Sequence, residues 1–209
     1  MTAAPMSNRS AEELAMRDAI EAWGRARWPE ARVVHELVVS QCRIDMAFIA
    51  PAHLIGIEIK SSRDVMDRVK RQLEAFTHHL PEVWFAMAPK WDKVSVYPAG
   101  RLTVTEPGGV IPCPYGSPRI DPCCTVPMLA LLWRAELVTI AARHDLPHSK
   151  RSRIRDLSAA IARGLTGDEI VTEVCRELRG RSAFWKSDDP IRVTAPRLTR
   201  SDLLQGAPA

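Results

Sequence analysis

The sequence predicts an α/β fold: a mixed central sheet flanked by helices, followed by a helical extension. Three observations carry this. Five short runs between residues 31 and 99 are rich in β-branched residues or alternate apolar with polar, as strands do. Two segments with helical spacing interrupt them. From Pro127 onward the periodicity is helical throughout.

The first helix opens at Ser10, three residues before Glu13, a capping-box spacing that satisfies the first free N–H groups. Leu14, Ile20 and Trp23 then recur at helical intervals over about four turns. ARVVHELVVS, RIDMAFIA and LIGIEIK follow as strands, the last two joined by a turn at Pro51-Ala52-His53. The spacing of Val65, Met66, Val69, Leu73 and Phe76 predicts a second helix from about Arg63 to Leu80. EVWFAMA and KVSVYPA are the next predicted strands. Glycines and prolines fill residues 99–125, which read as loop. The expected organisation is an α/β core over 1–112, a Pro/Cys-rich linker over 113–126, a helical subdomain over 127–183 and a loosely structured tail over 184–209.

Composition is that of a globular chain, with 46% hydrophobic and 26% charged residues. Charges interrupt every apolar run well short of the roughly 20 residues a membrane span needs, and MTAAPMSNRS lacks the apolar core of a secretory signal. The expectation is a cytoplasmic protein with no membrane association. Residues 1–124 balance 15 basic against 15 acidic residues, so the net charge of +4 arises after Cys124, which suits an anionic partner. Cys42 and Cys175 lie in apolar runs and read as buried thiols. Cys113, Cys123 and Cys124 lack the paired spacing of structural zinc sites, so reduced, unliganded cysteines are expected. Trp84 and Trp133 read as core, and His78-His79 as a helix C-terminus. No P-loop, GxGxxG or nucleophile elbow occurs.

The chemistry concentrates on two adjacent strands. Residues two apart share a strand face. Ile55, Ile57 and Ile59 therefore form one face, leaving Glu58 and Lys60 on the other, about 7 Å apart at the strand rise. Packing the isoleucine face on a helix is expected to put Asp45, Glu58 and Lys60 on one side of the sheet. Two carboxylates, with the Ile59 carbonyl as a third oxygen, suit Mg²⁺, and a lysine beside them can hold a water or stabilise charge on phosphorus. Glu36 sits in the preceding apolar strand as a further candidate. Gln72 interrupts the apolar stripe of the second helix, where a buried amide needs partners. Arg43, Arg63, Arg68, Lys70 and Arg71 concentrate positive charge around these strands, as binding to a phosphate backbone requires.

The stretches HELVV, RIDMAFIA, GIEIKSSRD and RQLEAF resemble, in order, the motifs of the PD-(D/E)XK nucleases, and look most like a bacterial or phage branch with the RecB-like glutamine motif. The resemblance implies a restriction-endonuclease-like core in which Asp45 and Glu58 bind Mg²⁺ or Mn²⁺ and Lys60 assists the attacking water. Gln72 matches the helix glutamine. Phe76 stands where the motif has tyrosine, and Ile44 where it has proline. The implied activity is hydrolysis of DNA, with RNA as the alternative polymer, by a homodimer or with a partner that supplies specificity. The competing expectation is a non-catalytic nucleic-acid-binding or assembly module on the same fold. ELVTIAARHDLPHSKRSRIRDLSAAIARGL also resembles a two-helix SAP-type DNA-binding module, which would place Lys150, Arg151, Arg153 and Arg155 near phosphates. The competing reading is a helical subdomain packed on the sheet, its basic residues in water.

Overall fold

A computed structural model describes residues 10–105, 108–113, 118, 125–149, 151–184 and 186–191. Helix α1 (Ala11–Arg27) starts at Ser10, whose hydroxyl accepts from the Glu13 N–H at 3.1 Å. Strands β1 (Arg32–Val39), β2 (Cys42–Ala50) and β3 (His53–Lys60) form an antiparallel meander. Helix α2 (Val69–His79) crosses to β4 (Glu82–Met87), parallel to β3. Strand β5 (Gly100–Thr105) runs parallel to β4, and β6 (Gly109–Pro112) turns back antiparallel. Helices α3 (Thr125–Met128), α4 (Arg134–Arg143), α5 (Ile154–Gly164) and α6 (Gly167–Gly180) precede the short β7 (Lys186–Ser187). The mixed sheet has the order β6-β5-β4-β3-β2-β1-β7.

The sheet buries both faces. On one, Met16 and Ile20 of α1 meet Met46, Phe48, Ile55, Ile57 and Ile59. On the other, Ile44, Ala47, Ile49 and Phe85 share a continuous core with Phe76 of α2, Leu137 of α4, Ile161 of α5 and Val174 of α6. The C-terminal helices thus bury their apolar faces on the sheet. Arg32, 1% exposed, joins the two parts. Its Nη1 donates to the carbonyls of Leu178, Arg179 and Arg181 at 3.0, 2.8 and 2.6 Å, where the negative end of the α6 dipole favours a cation.

Several boundaries differ from the sequence reading. Helix α2 begins at Val69 rather than Arg63, because the Asp64 carboxylate accepts from the Ser61 N–H and Oγ at 2.7 and 2.8 Å, holding a turn that competes with helix. Val65, assigned to the apolar stripe, is exposed. KVSVYPA is not a strand: Ala99 N donates to Val96 O in a tight turn, and Pro98 has no N–H to give a ladder. The strand instead starts at Gly100, inside the stretch read as loop. Its RLTVT segment does alternate, but flanking glycines and prolines obscure the pattern. Trp84 is buried, whereas Trp133 is 52% exposed, its ring over the Arg181 guanidinium at 4.3 Å. Within the expected loose tail, β7 pairs with β1, and Asp188 accepts from the Val33 N–H and from Arg25. Among the described residues no helix is long and apolar enough to cross a membrane.

Candidate active site

The site forms where β2 and β3 separate. Their pairing runs from Ala50–His53 to Met46–Ile57. Past that point Cys42–Ile44 pair with β1, and Glu58–Lys60 with β4. Asp45 fills the gap. Its Oδ2 accepts from the Ile59 N–H at 2.8 Å, replacing a ladder bond that β2 no longer supplies.

Glu36 lies opposite Asp45, between the pairs His35–Met46 and Leu37–Ile44. Its φ of 59° is left-handed, uncommon for a non-glycine residue, and the strand's alternation breaks there. Leu37 thereby joins the same core as Val34, while the Glu36 carboxylate reaches α1. Arg17 waits on that helix, its side chain 6% exposed. Its Nη2 donates both to Asp45 Oδ1 and, at 3.3 Å, to Glu36 Oε1. Nη1 donates to the Asp45 carbonyl and Nε to Glu13 Oε1, both at 3.2 Å. Burial alone would lower the Arg17 pKa, but Asp45, Glu36 and Glu13 together raise it, so the guanidinium is a permanent cation.

Glu58 and Lys60 project from the face opposite the isoleucines, toward α2. Lys60 Nζ donates to Glu58 Oε1 at 2.7 Å, and Gln72 Nε2 donates to the same oxygen. Glu58 Oε2 and Gln72 Oε1 are buried without a partner. Burial first, then the nearby Asp45 charge, pushes the Glu58 carboxyl up to about 8, against the pull of Lys60 and Gln72.

The structure brings these residues together as two groups. Asp45 and Glu36 meet at Arg17, and Lys60 and Gln72 meet at Glu58. Asp45 lies in the notch between strands, bonded to the Ile59 N–H and not on the Glu58–Lys60 face. Ile59 contributes its N–H to Asp45. Arg43 is exposed and lies 3.8 Å from Glu36. Arg63, Arg68, Lys70 and Arg71 are all exposed on the segment after β3 and the first turn of α2. Arg151, Arg153 and Arg155 are exposed before and within the first turn of α5, and Lys150 lies outside the described residues, as do Cys123 and Cys124. Sequence reasoning missed Arg17. Its signal is a charge one turn after Glu13 and three residues before Ile20, on the face of α1 that also buries Gly24.

Can these residues hold a divalent cation? Among the described residues no three His, Cys, Asp or Glu side chains are grouped as a metal site. Two carboxylates with a backbone carbonyl and waters are nonetheless a usual donor set for Mg²⁺. Of these donors, Glu58 Oε2 is buried and accepts no hydrogen bond, so its lone pairs are not engaged by the protein.

Residues 7–96, under half of the chain, match the model of the family described as bacteriophage P4 protein cII. No curated protein matches. Similar solved structures include SPO1766, a protein of unknown function from Silicibacter pomeroyi, at 15% identity and TM-score 0.43, over 70% of this chain and 100% of that one. Another is Pyrococcus furiosus SfsA in complex with Ca²⁺, at 14% identity and TM-score 0.29, over 56% of this chain and 76% of the other.

Proposed function

We propose that the chain is a divalent-metal-dependent nuclease that hydrolyses DNA phosphodiester bonds at Asp45, Glu58 and Lys60. The observation that carries this reading is Glu58: a buried carboxyl with one oxygen unpartnered, beside a second carboxylate and a lysine at the open end of a strand pair. A carboxylate there costs desolvation energy that a plain structural role would avoid by using an apolar residue.

Asp45 and Glu58 would hold Mg²⁺ or Mn²⁺, with the Ile59 carbonyl and water completing the shell. When bound, such an ion supplies Lewis-acid neutralisation of phosphate oxygens and a water made nucleophilic near neutral pH. Lys60 sits two residues from Glu58 on the same strand face, where its ammonium can stabilise an attacking hydroxide or the charge on phosphorus. Gln72 holds Glu58 in its rotamer. The exposed Arg63, Arg68, Lys70 and Arg71 give the phosphate backbone its counter-charge.

Metal-dependent nicking of supercoiled DNA tests the reading: wild type is expected to nick and Glu58→Gln to lose nicking at least 100-fold. A second reading, a non-catalytic DNA-binding module, is favoured by one observation. Arg17 already neutralises Asp45 without any ion. It predicts DNA binding that is equal in chelator and in Mg²⁺, with no nicking in either.

A further inference from the structure

Arg32, Phe184, Arg181 and Trp133 form a ladder of alternating cations and rings. The Arg32 guanidinium lies 5.2 Å from the centre of the Phe184 ring, Arg181 lies 5.3 Å from the same ring, and Arg181 lies 4.3 Å from Trp133. Both arginines are buried, whereas Trp133, the last rung, is exposed. That end of the ladder is held in place. Glu136 accepts from Arg181 Nε and Nη2 at 2.8 and 2.5 Å and from the Trp133 N–H at 2.7 Å, and the Leu131 carbonyl accepts from Arg181 Nη2 at 3.0 Å. An indole fixed this way meets a flat partner with little further ordering cost.

Trp133, Arg181 and Phe184 line a groove of about 420 Å³ that Glu36, Ser40 and Arg43 also line, within the size range of small-ligand sites. Arg43 is exposed. Glu36, the acid in the groove, bonds Arg17 and lies 3.8 Å from Arg43, so its charge is balanced by cations. Through Glu36 the groove adjoins the Arg17–Asp45 pair. A cationic ligand on Trp133 would be repelled by the Arg181 charge behind the ring, but a neutral flat ring would not. An aromatic platform beside an exposed arginine is the pairing that holds single strands, base on ring and phosphate on cation. A duplex keeps its base faces inside the stack. We infer that Trp133 stacks a nucleobase of single-stranded DNA, with Arg43 at an adjacent phosphate. The inference rests on the reading of this chain as a protein that acts on DNA, and it requires no metal ion.

Fluorescence anisotropy in chelator tests it, comparing the full chain's affinity for an oligothymidylate with that for the same backbone carrying abasic sugars. Wild type is expected to prefer the base-bearing strand by at least about fivefold, the low end of what one stacked base contributes. Trp133→Ala, and Trp133→Leu, which keeps apolar volume without a ring, are expected to lose that preference and to bind the abasic strand as wild type does. Trp133→Phe should retain part of the preference, and Arg43→Gln should weaken both strands alike. An unchanged preference in Trp133→Ala and Trp133→Leu overturns the inference, as does an equal loss of both strands, which is the mark of a structural role. A wild type that dimerises in sedimentation, with Trp133→Ala monomeric and its base preference intact, makes this face a contact between copies and also overturns it. A wild type that binds neither strand overturns it as well. In each case metal-dependent nicking decides the nuclease reading separately.

Discussion

Asp45 closes the gap between two parting strands by accepting the Ile59 N–H at 2.8 Å. One carboxylate therefore serves both the backbone and the candidate chemistry. Asp45→Ala leaves that N–H and the Arg17 guanidinium short of an acceptor, and is expected to cost about 2–3 kcal/mol. Asp45→Asn keeps an acceptor oxygen and should cost less. Urea denaturation of the two variants beside wild type checks the order.

Glu58 gives stability a pH dependence of unusual sign for a carboxylate. Its folded pKa, about 8, lies above the ordinary 4.5. Between those values the folded state holds a proton that the unfolded chain has lost, so this group's contribution falls as pH rises from about 4.5 to about 8. Without added metal, Glu58→Gln should be more stable than wild type at pH 8, by at least about 3 °C in Tm, with the difference vanishing near pH 4.5. Thermal unfolding in chelator at both pH values reads it. Equal Tm values at pH 8 would contradict the origin given for the shift.

Arg32 ties the C-terminal helices to the sheet through carbonyls at the end of α6. Arg32→Met fills the volume but removes the donor to the carbonyls of Leu178, Arg179 and Arg181. A loss of about 3 kcal/mol or more is expected. The shared core also predicts one cooperative unfolding transition, so far- and near-ultraviolet circular dichroism should give the same midpoint.

DNA affinity should depend on the segment after β3. Replacing Arg68, Lys70 and Arg71 together by Gln is expected to weaken duplex binding at least tenfold. The salt slope should fall by about 1 for each phosphate that is no longer neutralised. The matching change at Arg151 and Arg153 decides whether α5 takes part. Fluorescence anisotropy at several salt concentrations, in chelator, separates binding from cutting.

The legible part of this protein is its sheet centre. Ile55, Ile57 and Ile59 alternate strictly with Gly56, Glu58 and Lys60, and a period-2 pattern fixes which side chains share a face. Gln72 is legible as a polar residue inside an apolar stripe, and its amide does meet Glu58. What escapes depends on distant partners or on backbone geometry. Arg17 looks like any helix charge until α1 is laid over β2. The left-handed turn at Glu36 has no glycine to announce it. Strand β5 is hidden because its alternation is only six residues long and begins with glycine, which pattern reading treats as a breaker.

The most direct measurement is cleavage of a DNA panel (supercoiled, linear duplex, single-stranded and branched) in Mg²⁺, Mn²⁺ or chelator, by wild type, Asp45→Ala, Asp45→Asn and Lys60→Ala, each confirmed folded. Wild type should cut at least one substrate only with metal, and all three variants should fall by 100-fold or more. Equal cutting by wild type and variants, or no cutting of any substrate by a wild type that binds DNA, would contradict it.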